Sequence, residues 1–170
     1  RPDEMYSLTG QSTIAKTSAE VIEVHLDPPD PPASPSVLEA IETSDVLVLG
    51  PGSWFTSVMP HLLVPQIVEA IMDSDALKIL TLNVAGADET NGFSPARHLE
   101  VLAEHEPRIR FDVVLADRSF ARSDPHLGTF ARNLGARIVE ADLAMHDGSA
   151  RHDPLRLASA YAEVMGVHIR

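Results

Sequence analysis

Apolar and polar positions alternate along this chain in two rhythms. Short apolar stretches mark strands, and longer stretches with apolar residues on one helical face separate them. Residues 20–26, EVIEVHL, alternate apolar and polar as a half-buried strand does. Val46 to Leu49, VLVL, is wholly apolar, which predicts a strand covered on both faces. Lys78 to Val84, Phe111 to Ala116 and Arg137 to Ala141 read as the strands that follow. Between them, Ser36-Val37-Leu38-Glu39 has the form of a capping box opening a helix toward Ile41. Pro65 to Met72 places Ile67, Val68 and Ile71 on one helical face. Ser94-Pro95, Asp124-Pro125 and Asp153-Pro154 each set a capping side chain before a proline suited to the first helical position. They predict helices over 95–104, 125–134 and 154–165, the second stopped by Gly135.

Strand and helix in alternation predict an α/β fold: a three-layer, Rossmann-like parallel sheet with helices on both faces. Five of the 13 prolines fall between Pro28 and Pro35, a stiff connector inside one domain that spans residues 1–170. Ligands of such sheets collect at the carboxyl ends of the strands. Three loops are therefore singled out: Gly50 to Ser57, Asn83 to Ser94, and Asp117 to Asp124.

Composition narrows the classes of function. The net charge of −12 argues against nucleic-acid binding, which needs a basic surface. No apolar run approaches the roughly 20 residues of a membrane helix. The absence of cysteine excludes disulfides and thiolate zinc sites, and fits a reducing cytoplasm. The chain opens on Arg1-Pro2-Asp3-Glu4, with no secretory signal and no initiator methionine, so Arg1 is not read as a natural N-terminus.

Among the loops, Gly50-Pro51-Gly52-Ser53 follows directly on an apolar strand and leads into Thr56 and Ser57. Two readings stand: an anion seat built from backbone N–H groups, or a structural corner in which Ser53 caps the next turn. It is not a Walker motif, since no lysine follows the second glycine. Asn83 offers an amide that both donates and accepts, and Glu89 a carboxylate for a sugar hydroxyl or a base, unless both serve the loop itself. His61 lies beside the glycine loop. His98, in the first turns of its helix next to Arg97, suits catalysis, phosphate contact or a plain surface role. No histidine pair has metal-site spacing backed by carboxylates, so no protein-held metal is expected.

GPGSWFTSVMPHLLVP at 50–65, NVAGADETNGFSPARHLEVL at 83–102 and DVVLAD at 112–117 resemble the YvcK-like family of gluconeogenesis factors. That family lies within the superfamily of 2-phospho-L-lactate transferase, CofD-like proteins. TIAKTSAEVIEVHLDPPDPPA after Gly10-Gln11, and HDPLRLA at 152–158, fit an actinobacterial branch. The resemblance implies a cytoplasmic protein that binds UDP-sugars, notably UDP-N-acetylglucosamine, and supports cell shape and peptidoglycan synthesis during gluconeogenic growth, without a known catalytic residue. The implied contact residues are Gly50, Pro51, Gly52, Ser53, Thr56, Ser57, His61, Asn83, Glu89, Thr90 and His98. The alternative is a transferase, usually magnesium-dependent, moving a phospholactyl group from a guanylyl donor to a deazaflavin. Family members are about twice this length and begin with a Gly-rich strand-turn that nothing here matches. The chain is therefore expected to be the C-terminal portion of one domain, partnered by the missing N-terminal half or by a second copy in a homodimer. Ala87-Asp88-Glu89-Thr90 is one residue shorter than the family pattern, which bears on the placing of Glu89. The third expectation is a packed half-domain whose glycine loop binds nothing.

Overall fold

The computed structural model describes residues 5–19, 21–86 and 88–168, and Glu20 and Ala87 lie outside it. Four parallel strands form one sheet in the order β1 (Val46–Leu49), β2 (Leu77–Thr81), β3 (Val113–Asp117) and β4 (Arg137–Ala141). The register pairs Val48 with Ile79, Ile79 with Val113, and Val113 with Arg137. Helix α1 (Gln11–Ile14) is a single turn, and α2 (Pro35–Thr43) precedes β1. The crossovers carry α3 (Pro65–Asp73), α4 (Pro95–His105), then the short α5 (Arg118–Arg122) with α6 (Leu127–Asn133). Helix α7 (Pro154–His168) closes the described chain.

The period of two along each strand sorts its side chains between two cores. Leu49, Leu80, Val114 and Ala116 join Val68 of α3, Leu99 and Leu102 of α4, and Leu127 and Ala131 of α6. Ile79, Val113 and Leu115 face the other way and meet Ala160 and Val164 of α7. Helices thus cover both faces, three crossover helices on one and α7 on the other, as the alternation predicts. β3 is buried along its whole length, because it lies between two strands and two helical layers.

Four expectations are corrected. Residues 21–26 form no strand: Val21 and Val24 pack on the larger core while Ile22 is 75% exposed, a spacing that period-two pairing does not give. β1 is the sheet's terminal strand among the described residues, and Val48 is 46% exposed, so it is not covered on both faces. α2 starts at Pro35 behind Ser34, two residues before the supposed capping box, with Ser34 Oγ and Ser36 Oγ only 2.8 Å apart. The helix expected from Pro125 begins at Leu127, because the Asp124 carboxylate accepts the His126 N–H at 2.8 Å and holds an intervening turn. The Ser94-Pro95 start is observed as expected, with Ser94 Oγ accepting the Arg97 N–H.

The β1 exit is the tightest point of the fold. Gly50 has φ of +77°, and a Cβ there would lie 2.6 Å from the Thr81 carbonyl oxygen, which is backbone and cannot swing away. Gly50→Ala is expected to destabilise the protein by about 2–4 kcal/mol. Gly92→Ala is expected to cost about 1–2 kcal/mol, since Gly92 shares a positive φ but a Cβ meets nothing within 4 Å. Urea unfolding of the two variants checks the difference.

Candidate functional site

The sheet's carboxyl edge is built by three loops, and two of them are sewn together through side chains. After β1, Gly50-Pro51-Gly52-Ser53 leads into a wide π-helical turn, Trp54–Val58. The Ser53 side chain caps it, accepting the Thr56 N–H at 3.3 Å, as one of the two sequence readings has it. Thr56 Oγ1–H also donates to Ser53 Oγ. After β2, Asn83 turns its amide onto Gly52: its Oδ1 accepts the Gly52 N–H at 3.2 Å, and its Nδ2–H donates to the Gly52 carbonyl at 3.0 Å. This pair of hydrogen bonds copies the exchange between paired strands with a side chain.

Glu89 completes the seam. Its Oε1 accepts the Ser53 hydroxyl at 2.7 Å and the Trp54 N–H at 3.0 Å, and the residue is only 6% exposed. The Gly52 N–H, which the anion-seat reading offers to a ligand, and the neighbouring Trp54 N–H are therefore bonded inside the protein. An internal carboxylate stands where an external anion would.

The eleven expected contact residues lie at different depths. Glu89, Thr90 and His98 are buried, while Gly50, Pro51, Gly52, Ser53, Thr56 and Asn83 are partly covered. Ser57 and His61 are exposed, His61 with its Nδ1 3.3 Å from the Val58 carbonyl. His98 is not on the helix surface. It has no exposed area, and its ring meets Trp54, Phe93 and Phe120 edge-on at centroid distances of 4.9, 5.4 and 5.8 Å. Its Nδ1 lies 2.8 Å from the Ser94 carbonyl, which can only accept, so Nδ1 carries the proton and Nε2 is bare. His98 Nε2 and Trp54 Nε1 are both buried without a hydrogen-bond partner among the described residues. Burial holds the imidazole below its usual pKa, partly opposed by the Ser94 carbonyl.

At the β3 end, Asp117 is the second internal anion. Oδ1 accepts from Ser119 N–H, Ser119 Oγ–H and Phe120 N–H, and Oδ2 from Leu143 and Ala144 N–H at 2.9 and 3.1 Å. Burial alone would raise its carboxyl, but these bonds outweigh that and hold it below the ordinary carboxylate range. They also clamp the segment after β4 onto the sheet, where His152 donates from Nε2 to the Leu82 carbonyl at 3.1 Å. Beside this clamp lies an open cleft of about 460 Å³ lined by Asp117, Arg118, Ser119, Arg122, Asp142 and His146, with Ala144. Sequence reasoning placed loop 117–124 at the ligand end but singled out none of its side chains. An arginine and a serine directly after a fully apolar strand were the available signal. Among the described residues, no group of three or more His, Asp or Glu side chains comes together as a metal site.

This geometry defines the class: a Rossmann-like α/β protein whose candidate site lies at the carboxyl ends of its parallel strands. A family model described as "2-phospho-L-lactate transferase CofD" matches residues 3–153, and the chain belongs to that family. The chain is 43% identical over 157 residues to a Mycobacterium leprae protein named "Putative gluconeogenesis factor", covering 90% of this chain and 44% of that one. A Mycobacterium tuberculosis protein of the same name is 43% identical over 156 residues, covering 89% and 45%. A crystal structure of a Bacillus halodurans protein superposes with a TM-score of 0.74 at 30% identity, over 90% of this chain and 54% of that one. The chain thus spans about half the length of the relatives it matches, and the resemblance drawn from its motifs is shown. Among the described residues, no single helix is long and apolar enough to cross a membrane.

Two outcomes follow from the buried groups. Glu89→Ala removes the acceptor of two bonds and is expected to lower stability by about 2–4 kcal/mol in urea unfolding. For His98 the folded pKa lies below the unfolded one, so the unfolded chain binds the extra proton first. Its stability contribution is full above the unfolded value, about 6.5, and declines as pH falls below it. The urea midpoint should drop between pH 7 and pH 5.5, and His98→Phe should flatten that slope.

Proposed function

We propose that this chain is part of a regulatory protein of the gluconeogenesis-factor type that binds a nucleotide sugar, of the UDP-N-acetylglucosamine class, at the carboxyl edge of its sheet. In this reading the bound sugar nucleotide reports on carbon supply, and the protein supports cell shape and peptidoglycan synthesis during growth on gluconeogenic carbon sources. The observation that carries it is the match over nearly the whole chain to proteins named putative gluconeogenesis factors. The convergence of three loops at one sheet edge supports a ligand there. In this reading Thr56, Ser57, His61 and Asn83 contact the ligand from the glycine-turn side. Binding alone needs no general base. A thermal-shift series on the full-length protein tests it. At 100 times the dissociation constant, ligand adds about 2.7 kcal/mol. That raises the melting temperature by about 5–10 °C for a domain of this size or larger. No shift with millimolar UDP-N-acetylglucosamine would remove the reading.

A second reading is favoured by the description of the matching family, a phospholactyl transferase. Magnesium belongs to that reading; among the described residues no three candidate ligands come together. Product formation from a guanylyl phospholactate donor and a deazaflavin would establish it, and no turnover would dismiss it.

A further inference from the structure

Two donors of the glycine turn are spent on the protein itself, since Gly52 N–H is bonded to Asn83 and Trp54 N–H to Glu89. A phosphate arriving at this edge must find its counter-charge elsewhere. The cleft beside β3 and β4 supplies it. Although the chain carries 25 acidic against 13 basic side chains, three arginines gather here. Arg122 is neutralised by Glu140 at 2.9 Å. Arg156 is bonded to Asp142 and to the His146 imidazole, so it holds the far wall. The Asp117 carboxylate spends both oxygens on backbone and serine donors, as described. Arg118 alone remains: it is exposed, lines the cleft, and makes no hydrogen bond or ion pair among the described residues. Arg118 is therefore the arginine of this cleft that has no anionic partner among the described residues, and it stands at the carboxyl end of a buried parallel strand.

Resting on the nucleotide-sugar reading, we infer that Arg118 pairs the diphosphate of the ligand, with the cleft between Ser119 and His146 as its seat. A guanidinium presents two parallel N–H donors to phosphate oxygens, a geometry that lysine lacks. Arg118 has no existing partner to surrender, so pairing costs no internal bond. The glycine turn then acts as a fixed wall across the edge, shaping the space rather than holding the charge.

Inorganic pyrophosphate is the probe, titrated into the full-length protein while Arg118 Nε–H and the Ser119 and Gly52 amides are followed by NMR. UDP-N-acetylglucosamine is titrated in parallel by calorimetry. The Arg118 and Ser119 signals should move saturably, and Arg118→Ala should weaken both ligands about 10- to 100-fold. Arg118→Lys should fall between, and both variants should melt like the parent because Arg118 bonds nothing. Shifts confined to Gly52 and its neighbours, or affinities unchanged within about twofold in Arg118→Ala, would overturn the inference. Pyrophosphate held by Arg118 with no binding of the sugar nucleotide would uphold the pairing and defeat the nucleotide-sugar reading. Sugar-nucleotide binding indifferent to Arg118 would do the reverse.

Discussion

The fold's carboxyl edge depends on one buried carboxylate. Glu89 holds the Ser53 hydroxyl and the Trp54 N–H, and so pins the loop after β1 to the loop after β2. A buried carboxylate is costly unless its oxygens are bonded, and a bond to a charged acceptor is worth about twice a neutral one. The position of Trp54 follows from that seam. Its indole is fully buried and meets the His98 ring edge-on, and His98 is held in turn by the Ser94 carbonyl. Ser94 caps α4, and its hydroxyl bonds Asp124, whose carboxylate also accepts the Ala96 and His126 N–H groups ahead of α6. A line of contacts thus runs from the glycine turn to the start of the last crossover helix.

Asp117 does at the β3 end what Glu89 does at β1 and β2. Each acid neutralises backbone donors of a neighbouring loop, and each lies at the end of the sheet where ligands of this fold class bind. The edge is therefore preorganised by its own anions. Exposed side chains at the edge include the Ser57 hydroxyl, His61 and the Arg118 guanidinium. In a chain of net charge −12, Arg118 stands out among them as a permanent cation without an ion-pair partner among the described residues.

Local signals in the sequence carried much of the fold. β4 lies where its apolar pattern predicts it, and the Ser-Pro and Asp-Pro pairs mark α4 and α7 because a cap and a proline act within one turn of chain. Ser34-Pro35 is the same signal and starts α2, but the nearby Ser36 and Glu39 suggested a later start. The alternation in 21–26 misled because a strand also needs a neighbour with open backbone groups, which composition cannot supply. The exposure of Val48 escaped for the same reason: an apolar run says nothing of whether the next layer reaches it.

The site was legible as loops more than as side chains. Glycine turn, Asn83 and Glu89 do meet, but their meeting satisfies them mutually across 31 to 36 residues of sequence, which no local pattern reveals. His98 looked like a helix-surface residue because the three aromatic rings around it come from separate elements. Arg118 gains its meaning only when Glu140 and Asp142 are seen to be occupied by other arginines.

The central claim is that the Gly52 and Trp54 N–H groups of the glycine turn are already satisfied within the protein. Amide hydrogen exchange, resolved by residue in the ligand-free protein, tests it most directly. The Gly52 and Trp54 amides should be protected to a degree approaching the β2 amides, far beyond that of exposed loop amides without an acceptor. Exchange of both amides at the rate of exposed loop positions would contradict it, and would return the turn to the role of an open anion seat.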